Sequence, residues 1–191
     1  MSVGSASPPR PWRRLKSSPA LDFGIFRLRQ ETVAHPLNDS EHQRVVIDAP
    51  DWVNVVPITR QGEVVLIRQF RFGIGSSTLE IPGGTVEPNE EPIDAASREL
   101  EEETGYRPAR IELLGSVHPN PAFQNNRCYS YLARDCERVH QGHPEAGEDI
   151  AVELRALGEI SGLIAAGEIT HSLVICAFYY LFNASAPRPS P

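Results

Sequence analysis

The stretch GTVEPNEEPIDAASRELEEETGY, residues 84 to 106, decides how the rest of the chain is read. Its second part reads as a helix from about Glu91 to Glu103, with Pro92 tolerated in the first turn and Gly105 closing the last. At about 100° per residue, Ile93, Ala96 and Leu100 share one stripe that can face a core. Glu99, Glu102 and Glu103 form a neighbouring stripe, related by i+3 and i+4, so their carboxylates converge. Glu101 points away from them as a solvated charge. Arg98, on the flank, can hold a carboxylate in one orientation through a bidentate contact. These glutamates crowd the helix end where the dipole is negative and like charges repel. A divalent cation would reverse that local field. The preceding pair Gly83-Gly84 reads as a tight turn with its carbonyls directed inward. Carboxylates with a backbone carbonyl make a hard-oxygen site, suited to Mg²⁺ or Mn²⁺ holding substrate phosphates. An acidic helix is also commonly a solvated face, and the helix alone leaves both readings open.

Outward from this segment the periodicity is β first and α last. Residues 1–11 are rich in Ser and Pro and read as a disordered tail, and Trp12 starts the ordered part. FGIFRLRQETVA (23–34) and QRVVIDA (43–49) alternate as strands of an N-terminal β arm over 12–49. VNVVPIT (53–59) and VVLIRQF (64–70) flank Arg60-Gln61-Gly62-Glu63 and predict a hairpin. TLEIP (78–82) is a short strand, and others follow near 111–117, 128–136 and 149–157. Two helices close the chain, over 157–167 and, after Gly167 and a Thr170 cap, over 172–182. The tail at 184–191 has the same loose composition as the start. A mixed β-sheet sandwiched between helices, of the α/β (α+β) class, with an N-terminal antiparallel β arm, is the packing these elements allow.

The chain has 191 residues, 40% of them hydrophobic, which is ample for a core. A net charge of −7 argues against broad contact with nucleic-acid phosphates, though a few arginines or a metal can still bind a phosphate compound. Cys128, Cys136 and Cys176 are odd in number and form no CxxC pair, which fits a reducing compartment. No run of 18 or more apolar residues spans a membrane, and charges arrive before any apolar stretch at the start. A cytoplasmic protein is the expectation.

The spacing G84-x5-E90-x7-R98-E99-L100-x-E102-E103-x-G105-Y106 resolves the ambiguity of the helix. It fits the Nudix box, G-x5-E-x7-R-E-U-x-E-E-x-G-U, at every position, with Leu100 and Tyr106 as the bulky apolar residues U. Specified residues at background frequencies near ~6% make a chance match on the order of one in a million. The chain therefore resembles the Nudix hydrolase superfamily. The resemblance implies a Nudix fold over roughly 50–183 and divalent-metal hydrolysis of a nucleoside diphosphate linked to another group. By motif position, Glu99 and Glu103 would be principal metal ligands and Glu102 a further ligand or water-orienting carboxylate. The Gly83 carbonyl would complete the set, with Glu90 and Arg98 bracing it.

Outside the box, VLIRQFRFG (65–73) with TLEIPGG (78–84) looks like the corresponding stretch of ADP-ribose pyrophosphatases. Pro121 stands near that subgroup's marker proline, but Asn120-Pro121-Ala122 departs from its usual Ser-Pro-Gly, which leaves other nucleoside diphosphate sugars open. Arg68, Arg71 and Arg127 are candidates for the diphosphate or terminal ribose, and Glu80 for a substrate hydroxyl or base edge. Surface ion pairing is the alternative for each. The subgroup's late-loop general base points to Glu148, with Glu145 and Asp149 in reserve. His140 and His143 read as a turn, Trp52 as core or interface, and Arg10, Arg13, Arg14 and Lys16 as a solvated arm. The arm resembles the one such enzymes exchange, implying a homodimer with substrate partly between subunits. A nucleoside triphosphate pyrophosphatase and a non-catalytic ADP-ribose or dinucleotide sensor are the rival readings.

Overall fold

The computed structural model describes residues 7–144, 147 and 149–183. The proposed base Glu148, its reserve Glu145 and the segment 184–191 lie outside the described residues, as do residues 1–6 of the expected N-terminal tail. The chain divides into two compact units, one running to Ala49 with Asn120–Asn125, the other holding Pro50–Pro119 and the chain from Asn126.

The smaller unit is an antiparallel sheet of β1 (Arg13–Ser17), β2 (Leu21–Asp22), β3 (Arg27–Ala34) and β4 (Glu41–Asp48). β3 is central, with β1 and β4 on it along nearly their whole lengths. Asn120–Asn125 joins through Ile47 N–H, 2.7 Å from the Phe123 carbonyl, and through an Asn125 amide on Asp48. The RRLKS segment is thus a strand of the arm, with its basic side chains solvated. Its side chains are exposed throughout, so it shows no apolar alternation; its backbone pairing and ion pairs such as Arg14–Glu31 hold it. Of the expected strand 23–34 only Arg27–Ala34 forms, because Gly24 with φ +80° turns the chain after β2.

The larger unit contains β5 (Trp52–Thr59), β6 (Glu63–Arg71), β7 (Ser76–Glu80), β8 (Gly83–Thr85), α1 (Pro92–Thr104), β9 (Tyr106–Arg107), β10 (Arg110–Val117), β11 (Cys128–Arg138), β12 (Ile150–Ala156), α2 (Ile160–Ala165) and α3 (Ser172–Phe182). Its sheet runs β10-β11-β5-β6-β12 and is mixed, since β11 and β5 are parallel and the other pairs antiparallel. Both faces are covered, and β5 and β6 accordingly read as continuous apolar runs. Val53, Val55 and Val65 pack with Ala95, Ala96 and Leu100 of α1 on one face. Val56, Val64 and Leu66 pack with Ile160, Val174 and Phe178 on the other. The sheet is therefore sandwiched between helices, as the element order predicts.

The β5–β6 hairpin turns at Gly62, with φ +80°, but the two strands pair only at Ile58 and Val64. Beyond that point they part, and β8 takes the place beside β5, with Gly83 against Asn54 and Thr85 against Trp52. Gly83-Gly84 is thus a short strand and not a tight turn, and neither residue has positive φ. On α1, Ile93 is 40% exposed and Ala95 is buried in its stead. The small side chains of Ala95 and Ala96 let the helix lie close on the sheet, which shifts the buried stripe. α2 is shorter than the apolar pattern suggests and follows a 3₁₀ turn at Leu157–Glu159. α3 is capped by His171, whose Nδ1 accepts from Leu173 N–H at 3.2 Å, and not by Thr170.

Candidate active site

The gap between β5 and β6 puts the glycine strand against the acidic side of α1. Both glycines stand in close approach to a neighbour, and at Gly83 that neighbour is fixed. A Cβ on Gly83 would lie 2.2 Å from the Val53 carbonyl oxygen, and one on Gly84 would lie 2.4 Å from Glu99 Oε1. The Gly84 site is a cradle for a carboxylate. The Gly83 contact is with backbone, which cannot swing aside. Gly83→Ala is therefore expected to cost about 2 kcal/mol, an overpacking penalty read as a lowered urea midpoint at unchanged slope.

Arg98 is the hub of the acids. Its Nε and Nη2 donate to the two oxygens of Glu90 at 2.9 and 3.0 Å, and Nη2 also reaches the Thr85 carbonyl at 3.1 Å. Its Nη1 donates to Glu99 at 2.8 Å and to Glu102 at 3.1 Å. The hydrogen bonds to Glu90, then those to Glu99 and Glu102, hold the guanidinium firmly charged. Glu90 in turn is held below the usual carboxylate range by Arg98. Glu103 turns the other way: it is only 3% exposed and accepts from Gly83 N–H at 2.9 Å. The expected convergence of three carboxylates is thus corrected. Two meet on Arg98, the third is buried against β8, and among the described residues no three acidic, His or Cys side chains are grouped to hold an ion as they stand. The donor set still fits a hard divalent cation: Glu99 in its glycine cradle, Glu102 beside it, and Glu103 fixed next to Gly83.

Glu101 is not a solvated charge. Arg107 donates to both its oxygens at 2.6 Å and His140 Nε2 lies 3.1 Å away. Arg107 first, then His140, hold its pKa down at about 2. This ion-paired corner escapes sequence reasoning, which gives His140 only a turn.

The substrate candidates divide. Arg68 donates to Glu153 at 2.8 Å, and Arg71 makes a two-bonded pair with Glu80, both at 2.8 Å. The Arg127 guanidinium has no carboxylate partner among the described residues; it donates to Ser116 Oγ at 3.5 Å. Its backbone N–H bonds Asp51 and its carbonyl accepts from Trp52 N–H, so it stands at the end of β5 where β8 pairs. Asp149 is exposed just before β12. No described helix is long and apolar enough to cross a membrane.

A family model described as NUDIX domain matches residues 49–176. The ADP-ribose pyrophosphatase of Bacillus subtilis (strain 168) is 30% identical over 159 residues, covering 82% of this chain and 85% of that protein. The methanol dehydrogenase activator of Bacillus methanolicus is 31% identical over 173 residues, covering 88% and 91%. A crystal structure of an ADP compounds hydrolase superposes with a TM-score of 0.79 at 18% identity, covering 96% of this chain and all of that one.

Proposed function

The chain belongs to the NUDIX family, and from that premise we propose that it hydrolyses the diphosphate linkage of ADP-ribose or a related nucleoside diphosphate sugar, releasing a nucleoside monophosphate and a sugar phosphate. The observation that carries this reading is the Arg98 hub: Glu90, Glu99 and Glu102 of the box stand around one guanidinium, at the seam where β8 meets α1. The pyrophosphatase relative supports the substrate class.

Glu99, Glu102 and Glu103, with the Gly83 carbonyl, would hold Mg²⁺ or Mn²⁺. When bound, such a cation neutralises diphosphate charge and makes water nucleophilic near neutral pH. Arg98 aims Glu99 and Glu102, and Glu90 keeps Arg98 charged and in plane. Arg127, with no carboxylate to release, is assigned the diphosphate; Arg68 and Arg71 would engage substrate only by sharing Glu153 and Glu80. Glu80 then serves substrate through Arg71. Glu148 is retained as the proposed base.

A panel of ADP-ribose, ADP-glucose, GDP-mannose, NADH, diadenosine polyphosphates and dNTPs, assayed with Mg²⁺ for mononucleotide release, tests the reading. A nucleoside diphosphate sugar should lead the dNTPs by at least tenfold in kcat/KM, the scale of a few missing contacts. Preferred dNTP cleavage would sink it, and tight binding without turnover would make the protein a sensor. We further assign it to the cytoplasm, on its three free cysteines, and to a homodimer through the arm. Leu21, Phe23 and Ile25 of the smaller unit are more than half exposed, apolar area that a second copy would cover. Analytical ultracentrifugation showing only monomer at micromolar concentration would overturn the dimer.

A further inference from the structure

We propose that Val139–His143, the segment after β11, is a clamp that sets the position of the acidic last turn of α1, with His140 as its positioning residue. The proposal rests on reading that turn as the cation site.

The last four carbonyls of a helix lack partners within it. Here Gly105 N–H donates to the Glu101 carbonyl at 2.7 Å, and one turn in, Thr104 Oγ1 adds a bond to the Leu100 carbonyl at 2.5 Å. The Glu102 carbonyl is held from outside, by His143 N–H at 2.6 Å. Val139 N–H and His140 N–H bond the Gly105 carbonyl at 2.8 and 3.4 Å. The clamp thus ties down the backbone of Glu102 itself and of the glycine two residues beyond Glu103.

The His140 ring locks this contact from the side. Its Nδ1 accepts from Gly142 N–H at 3.0 Å, so the neutral ring carries its proton on Nε2 and donates to Glu101 at 3.1 Å. His143 stacks on it, with ring centroids 4.9 Å apart. Two glycines make the approach possible. A Cβ on Gly105, already at φ +75°, would lie 2.1 Å from the His140 carbonyl oxygen. One on Gly142, at φ +84°, would lie 3.0 Å from that of Glu102. The final glycine of the box is therefore a landing place for the clamp as well as a helix stop.

The physical need is clear. Acids in a last turn oppose the helix dipole, and α1 has no basic residue there to offset them. The turn that must hold Glu102 and Glu103 still is the one most inclined to fray. Arg107 supplies the missing positive charge, and the N–H groups of the clamp and of the His140 ring supply donors.

The test compares His140→Ala, His140→Asn and His140→Gln. Asn keeps an acceptor for Gly142 but cannot reach Glu101; Gln can place an N–H where Nε2 lies. Ala and Asn should weaken Mn²⁺ binding, measured without substrate, by about tenfold, and lower kcat for ADP-ribose similarly with KM within about twofold. Amide exchange over residues 100–104 should quicken in both. Gln should restore most of each loss. Should Ala fail to fold, the Asn–Gln contrast carries the same information. Unchanged Mn²⁺ affinity and exchange in Asn, or a lowered Tm with unmoved kinetics, would overturn the clamp. Failure of the cation-site reading is distinct: wild type itself would then neither bind Mn²⁺ nor turn over.

Discussion

Glu103→Gln should lower the rate of mononucleotide release by on the order of 10³-fold, about 4 kcal/mol in transition-state free energy, and leave the fold standing. The split follows from the geometry of one side chain. Glutamine has the same shape, and its amide oxygen can still accept from Gly83 N–H, the 2.9 Å bond that ties α1 to β8. What is lost is a negative charge, which on the proposed reading holds a cation and through it the diphosphate. The fold gains slightly, because an anion leaves the negative end of a helix, an effect of roughly 0.3–1 kcal/mol. Initial rates across a Mg²⁺ titration, with Tm on the same samples, check both halves. A variant with near wild-type rate at limiting Mg²⁺ would remove Glu103 from the ligand set.

What was legible in the sequence follows a physical division. Spacing along one helix is a local property, so the phase of Glu99, Glu102 and Glu103 and the αL stop at Gly105 could be read directly. Strands with apolar residues on both faces announced themselves as runs, and the two-sided core followed. β1 could not be read, because a strand whose side chains are all exposed has no apolar period. The pair Gly83-Gly84 looks like a turn to local rules. Its true reason is that a carbonyl and a carboxylate occupy the space a Cβ would need, and those come from β5 and α1. The clamp is invisible for the same reason: its bonds to α1 are mostly backbone, and such bonds leave no residue signature beyond two glycines. Carboxylate convergence was overread because helix phase says which side an acid occupies, not which neighbour claims it. Arg98, written into the same motif, claims two.

Arg71→Met should cost about 3 kcal/mol at neutral pH, and the loss should shrink as the pH falls. Glu80 is 2% exposed, and Arg71 donates to both its oxygens, with Thr78 Oγ1 adding a short third bond. Burial is the largest single influence and pushes the Glu80 carboxyl up; the bonds from Arg71 and Thr78 together outweigh it and hold it below the ordinary value. A depressed carboxylate contributes stability above its unfolded pKa and loses it as the pH falls through the folded pKa. Without Arg71 the sign reverses. Burial prevails, the folded pKa rises above the unfolded one, and the acid is favoured neutral. Removing one partner of a buried pair costs about 3–5 kcal/mol, and the low end applies because the Arg71 side chain is itself 40% exposed. That corresponds to roughly 6–12 °C in Tm for a chain of this size. His171, whose pKa burial depresses while the Glu80 charge opposes, also faces the pair, so pH alone does not isolate Glu80. The double variant Arg71→Met with Glu80→Gln does: with no buried charge left, it should recover most of the neutral-pH loss in urea unfolding. Equal deficits in the single and double variants would mean that Arg71 stabilises the fold by packing its aliphatic stem, and that Glu80 bears no stranded charge.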